Sequence, residues 1–272
     1  MTDGRLRVAV LAGGASGEHD VSRASGESIA AHLDPARYDV VRVFIGRDGR
    51  WSVGAAGAPA RRPRGTVADG IAAALAVLRG VDVVFPALHG VYGEDGTVQA
   101  VLDRAGVPYV GNPAPASAMG MDKVFTKRLL AAAGIPVADS VLLRGGADTL
   151  PAPDRDRLGL PAFVKPARGG SSLGVARLTD WAGLPAAVSA ARCAGDRVLV
   201  EAAVAGREVD VAVLEYPDGR LVAGPPLEIR VAGGREFFDF DAKYAAGDTV
   251  FDVPARIPAD AAAAVRRLAV RA

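Results

Sequence analysis

The chain has 272 residues, half of them hydrophobic and 23% charged, which is enough for two domains with buried cores. Its 32 Lys and Arg against 31 Asp and Glu give a formal net charge of +1, so nothing in the electrostatics favours nucleic acid or an anionic membrane as a partner. A single cysteine, Cys193, excludes an internal disulfide and fits a reducing compartment, while His19, His32 and His89 lie too far apart for a histidine-cysteine zinc site.

The polar start MTDGR runs directly into a strand, Arg7 to Leu11, with no visible signal peptide or membrane span, so a soluble cytoplasmic protein is expected. Gly13 and Gly14 follow, then a helical pattern from Val21 to about Leu33 and a strand at Tyr38 to Ile45. That order opens a parallel α/β sheet, in which ligands collect at the carboxyl ends of the strands. The loop GGASGEHDVS, with Glu18 and His19, therefore falls where a site forms, although Glu18 equally suits the first turn of the helix. Gly54 to Thr66 is aperiodic and reads as a surface loop, before a helix near Asp69 to Leu78. A second apolar strand, Val81 to Pro86, delivers ALHGVYGEDGTVQA, where His89, Glu94 and Asp95 sit between glycines ahead of a helix starting near Thr97. Loops at strand ends carry sites disproportionately, but Glu94 and Asp95 could also cap that helix. Val107 to Val110 reads as a short strand, and GNPAPASAMG has the Pro and Gly density of a domain connection.

Asp122 opens an amphipathic helix with Met121, Val124, Phe125, Leu129 and Ala132 on one face, stopped by Gly134 and Pro136. A loop containing Gly145, Gly146 and several prolines follows. Ala162 to Lys165 and Gly174 to Leu178 then read as two strands joined by a glycine-serine loop. Gly169, Gly170 and Gly174 let backbone amides approach an anion, Ser171 and Ser172 add hydroxyls, and Lys165 supplies a charge beneath, as in a flap over a polyphosphate. The same composition also suits a plain surface hairpin. It is neither a Walker loop nor a dinucleotide GxGxxG. A helix from about Leu184 to Cys193 precedes a strand from Arg197 to Val204, whose Glu201 stands in an apolar run and needs a partner if buried. Glu208 to Leu214 alternates and turns at Pro217 to Arg220 into an antiparallel hairpin. The chain changes character near Asp122, from alternating α/β to strand-hairpin α+β.

These motifs together resemble those of the D-alanine-D-alanine ligases, members of the ATP-grasp superfamily. The stretch from His89 through Gly96 to Gln99 is similar to the family's HGxxGEDGxxQ signature, and Gly13 to Glu18 with Val21 and Ser22 to its GGxSxExxVS loop. Met121-Asp122-Lys123, Val164-Lys165-Pro166 with Gly170-Ser171-Ser172, and Asp241-Ala242-Lys243-Tyr244 follow in the same order. Asp241 stands where the family often has glutamate. The resemblance implies an α/β fold: a parallel-sheet N-terminal domain over residues 1–121, a central ATP-grasp subdomain over 122–203, and the start of a C-terminal subdomain over 204–272. It implies that ATP phosphorylates one D-alanine and that the amine of a second attacks the acyl phosphate, as in peptidoglycan precursor synthesis. Lys123, Lys165 and Lys243 would hold the ATP phosphates beneath the Gly170 to Leu173 loop. Glu201 and the backbone near Ala203 and Val204 would meet adenine, and Glu208 the ribose. Glu18, with His89 nearby, would fix the first D-alanine's ammonium, and Ser171 and Tyr244 would complete a hydrogen-bonded chain with Glu18. The family also implies two Mg2+ (or Mn2+) ions and a homodimer. Tyr244 after the lysine resembles the dipeptide-forming branch, so D-alanine is the expected acceptor rather than D-lactate.

A dinucleotide oxidoreductase is the competing α/β reading, but the first turn lacks GxGxxG and Tyr38 to Ile45 does not end in an acidic residue. A non-catalytic nucleotide-binding protein on the same scaffold is the alternative within the family. It arises because Ala259 to Ala272 is a helix still running at the last residue, and no Arg-hydrophobic-Asp strand or Glu-x-Asn is found for the transferring phosphoryl group and the metals. The metal ligands are therefore expected beyond residue 272, the third domain incomplete, and this chain a weak nucleotide binder without D-alanine-dependent phosphate release.

Overall fold

The computed structural model describes residues 4–54, 65–231 and 249–272. The chain divides into two compact units, Met1–Met121 and Asp122–Ala272.

The first unit is a four-stranded sheet in the order β3-β2-β1-β4. β1 (Leu6–Gly13) lies at its centre, parallel to β2 (Tyr38–Ile45) and to β4 (Val83–Pro86), with Val8 opposite both Val40 and Val83. β3 (Trp51–Gly54) pairs antiparallel on the edge. Alternation along β1 sends Ala9 and Leu11 to one face and Val8 and Val10 to the other. The first pair packs with Leu78 of α2 (Val67–Leu78) and Val98 and Leu102 of α3 (Thr97–Ala105). The second pair packs with Ile29 and Ala30 of α1 (His19–His32). A sheet covered on both faces explains why its strands read as continuous apolar runs. α1 sits close on β1 because Gly26 has no side chain: a Cβ there would lie 2.4 Å from that of Ala12. The unit closes with α4 (Ala114–Met121).

The second unit holds a four-stranded antiparallel sheet in the order β5-β8-β6-β7. Its strands are β5 (Ser140–Leu143), β6 (Ala162–Pro166), β7 (Ala176–Leu178) and β8 (Val198–Ala202). One face packs against α7 (Leu184–Arg192) through Val164, Val198, Val200, Leu184 and Val188. The other meets the start of α5 (Lys123–Ala132), where Val124 packs on Ala167 and Leu199. α6 (Ala152–Leu158) lies between β5 and β6. Further on, β9 (Glu208–Asp210), β12 (Leu227–Val231) and β13 (Thr249–Asp252) form a three-stranded sheet, β10 (Val213–Glu215) and β11 (Leu221–Ala223) a hairpin, and α8 (Ala259–Arg271) follows.

Several sequence expectations are corrected. GNPAPASAMG is largely helical, since proline suits the first turn of α4. Val107 to Val110 makes one bridge, Val84 with Tyr109, instead of a strand. The run from Glu208 to Leu214 breaks after Asp210: its first half joins β12 and only its second half forms the hairpin. The apolar face assigned to α5 is half open, with Val124 buried but Phe125 and Leu129 about 50% exposed, because only the first turn of the helix meets the sheet. Asp241 to Tyr244 lie outside the described residues.

Candidate functional site

The second unit contains a cleft of about 670 Å³ along one face of its antiparallel sheet. In β6, Ala162, Val164 and Pro166 turn inward, while Phe163 and Lys165 turn outward to line the cleft. Glu201 of β8 stands directly opposite Phe163, so Lys165, paired with Leu199, reaches it diagonally. The Lys165 ammonium donates to Glu201 Oε1. Glu201 Oε2 lies 2.5 Å from Nζ of Lys127, which also donates to the carbonyl of Ala138 at 2.6 Å. This is how a carboxylate with a 12% exposed side chain is tolerated in an apolar strand: two ammonium groups flank it.

Gly169, Gly170, Ser171, Ser172 and Leu173 form another wall of the cleft. Ser171 (φ 49) and Ser172 (φ 58) are left-handed, an uncommon conformation for residues with a side chain. Lys123 ties this loop down, its Nζ donating to Gly169 O at 2.8 Å and its backbone N–H to Ala167 O at 2.9 Å. Asp122, 3% exposed, holds the start of α5: Oδ1 accepts the N–H groups of Val124 (3.0 Å) and Phe125 (3.3 Å), and Arg197 grips both carboxylate oxygens at 2.8 and 3.2 Å. Burial pushes the Asp122 carboxyl up, but the Arg197 hydrogen bond, the two amides and the Arg197 charge together hold it below the usual value.

Val204 and Glu208 also line the cleft, and the backbone N–H of Ala203 donates to Pro161 O at 3.1 Å. Lys243 and Tyr244 lie outside the described residues. Sequence reasoning missed Lys127, although its i+4 spacing from Lys123 puts both on one side of α5 and Glu201 demanded a partner.

In the first unit, the β1–α1 and β4–α3 loops meet at the carboxyl ends of β1 and β4. Ser22, fully buried, accepts from Gly13 N (2.9 Å) and donates to Ala87 O (2.6 Å), joining the two strand ends. Ser16 Oγ donates to His89 O at 2.7 Å and accepts from Glu18 N at 3.2 Å. Glu18 is 4% exposed, and its carboxylate packs against Gly90 so closely that a Cβ there would lie 2.3 Å from Oε2. Gly90 also has φ +73. His89 is held through Nε2 to Ser25 Oγ (3.0 Å), with Nδ1 4.0 Å from Glu94 Oε1. Glu94 does not cap α3; its other oxygen accepts the Gly90 N–H at 2.7 Å, while Asp95 accepts that of Thr97 at 3.1 Å. The first unit thus brings Glu18 and His89 together around Gly90, and the second brings Lys123, Lys165, Glu201, Glu208 and the serine loop to one cleft.

Ammonium groups and a glycine-serine loop converging on one cleft suit an anionic ligand such as a nucleotide phosphate. A family model for the D-ala D-ala ligase N-terminus matches residues 7–112, and one for the D-ala D-ala ligase C-terminus matches residues 129–272. The D-alanine–D-alanine ligase of Mycobacterium sp. strain KMS is 52% identical over 298 aligned positions, covering 98% of this chain and 80% of the relative. Among solved structures, the D-Ala:D-Ser ligase VanG from Enterococcus faecalis superposes with a TM-score of 0.74 at 29% identity, covering 98% of this chain and 81% of that one. The D-alanine–D-alanine ligase from Bacillus anthracis complexed with ATP does so with a TM-score of 0.72 at 27% identity, covering 97% and 76%. The chain belongs to the D-alanine–D-alanine ligase family and has its ATP-grasp architecture.

Proposed function

We propose that the chain joins two D-alanines at the expense of ATP, through an acyl phosphate, in peptidoglycan precursor synthesis in the cytoplasm, and that the working form is a homodimer. The observation that carries this reading is the cleft where Lys165, Lys123 and the Gly169 to Leu173 loop converge. Transfer of a phosphoryl group to a carboxylate brings two anions together, so fixed positive charge and oriented amides are what a protein can contribute. Lys165 and Lys123, joined by Lys243, take the nucleotide phosphates; Ser171 and Ser172 offer hydroxyls over them. Val204 and the ribose-facing Glu208 place the nucleoside end. In the first unit Glu18, kept from water, pairs with the ammonium of the first D-alanine beside His89. A closed flap keeps water from the acyl phosphate.

Among the described residues no group of three or more His, Cys, Asp or Glu could hold a metal ion. Magnesium commonly needs only one or two carboxylates beside substrate phosphates, so a divalent ion would reach the cleft on the nucleotide phosphates.

Ligand-dependent melting tests the reading. ATP at about a hundred times its Kd stabilises the fold by about 2.7 kcal/mol, so a clear rise in Tm is expected with ATP and none with NADH. Any acceptor-dependent turnover in a coupled ADP-release assay should prefer D-alanine to D-lactate, and robust release by the 272-residue chain would overturn the expectation, drawn from its sequence, of weak nucleotide binding without phosphate release. Absence of any ATP-dependent shift would refute the reading.

A further inference from the structure

Lys127 carries a second charge into the site without facing it. Its ammonium lies 2.5 Å from Glu201 Oε2, its side chain is 17% exposed, and it is absent from the lining of the cleft, whereas Lys165, on the other carboxylate oxygen, lines the cleft directly. Lys127 is fixed from a second side by Ala138 O, so it is anchored to Glu201 independently of Lys165. Resting on the reading of the cleft as a nucleotide site, we infer that Lys127 is a positioning residue that makes Lys165 available to phosphate. Lys165 and Glu201 neutralise each other. For Lys165 to turn to a phosphate it must leave Glu201, and a largely buried carboxylate left without a counter-ion is costly. Lys127 keeps that carboxylate neutralised, so Lys165 can move without stranding a charge. A lysine serving only to fill the interior has no such dependence on Glu201.

The two roles separate by charge. Lys127→Gln keeps donors for Ala138 O and Glu201 but removes the charge, and Lys127→Arg keeps the charge. The experiment is calorimetric titration of ADP into the 272-residue chain as wild type, Lys127→Gln, Lys127→Arg, Glu201→Gln and the Lys127→Gln/Glu201→Gln double variant, each first checked for a cooperative melt. Lys127→Gln is expected to weaken ADP about tenfold, the scale of one charge-assisted hydrogen bond, and Lys127→Arg to bind within about threefold of wild type. In the Glu201→Gln background, where no carboxylate needs a counter-ion, Lys127→Gln is expected to change affinity by less than about twofold. Equal losses in both backgrounds, no loss in either, or failure of both single Lys127 variants to fold would overturn the inference. A wild-type chain that does not bind ADP would instead remove the nucleotide reading itself.

Discussion

Asp122→Asn isolates the charge at the start of α5 from the hydrogen bonds it makes. Asparagine retains an oxygen for the Val124 and Phe125 amides but loses the negative charge that Arg197 meets with two N–H groups. A hydrogen bond to a charged group is worth about 1.5–3 kcal/mol against about 0.5–1.5 for a neutral one. Arg197 has a 38% exposed side chain, so solvent screening reduces the difference and the expected loss is about 1–2 kcal/mol. Asp122→Ala removes the cap as well and should cost about 1 kcal/mol more. The sign with pH follows from the lowered folded-state pKa of Asp122. The unfolded chain binds the proton first as the pH falls, so the contribution is complete above the unfolded value, near pH 4, and is lost as pH falls through the folded one. Urea unfolding in a Trp51→Phe background, with Trp181 as the remaining indole, reports on the second unit. Wild type should exceed Asp122→Asn at pH 7, and the gap should close as the pH is lowered past 4. Equal stability at pH 7, or a gap that does not change with pH, refutes the reasoning.

Gly90→Ala imposes a left-handed alanine, costing about 1–2 kcal/mol, and drives the Glu18 carboxylate away by ~1 Å. D-alanine-dependent rate should fall on the order of a hundredfold while calorimetric ATP affinity stays unchanged; a matched loss in both would contradict the assignment of Glu18. Ser22→Ala leaves Gly13 N and Ala87 O buried without their shared partner, and about 2–4 kcal/mol should disappear from the unfolding free energy reported by Trp51. Lys165→Ala should weaken ATP roughly ten- to a hundred-fold in calorimetry, and unchanged affinity would remove its phosphate role.

What the sequence disclosed depended on how far each signal travels along the chain. Strands buried on both faces, such as Leu6–Gly13, and the dense loop from His89 to Gly96 announce themselves locally. The edge strand Trp51–Gly54 is only four residues long and runs straight into an aperiodic stretch, so beyond the Asp48-Gly49 turn signal its pairing with Tyr38–Ile45 leaves little local trace. The split of Glu208 to Leu214 is set by pairing with Leu227–Val231, a partner that local alternation cannot reveal. Glu201's need for a counter-ion was legible; that Lys127 and Lys165 both supply it rests on diagonal reach across β6 and β8 and on the placement of α5.

The five residues of β6 serve two purposes on one two-residue period. Substitutions at Ala162 or Val164 act on the fold, and substitutions at Phe163 or Lys165 act on the cleft, so the two are separable by point mutation. A change in length is different. Inserting or deleting one residue ahead of Phe163 would exchange the faces, turning an ammonium into the apolar layer beside Val188 and a valine toward the cleft. This strand can therefore drift in composition over evolutionary time but not in length, and families of such chains should accommodate their insertions in the loops on either side of it.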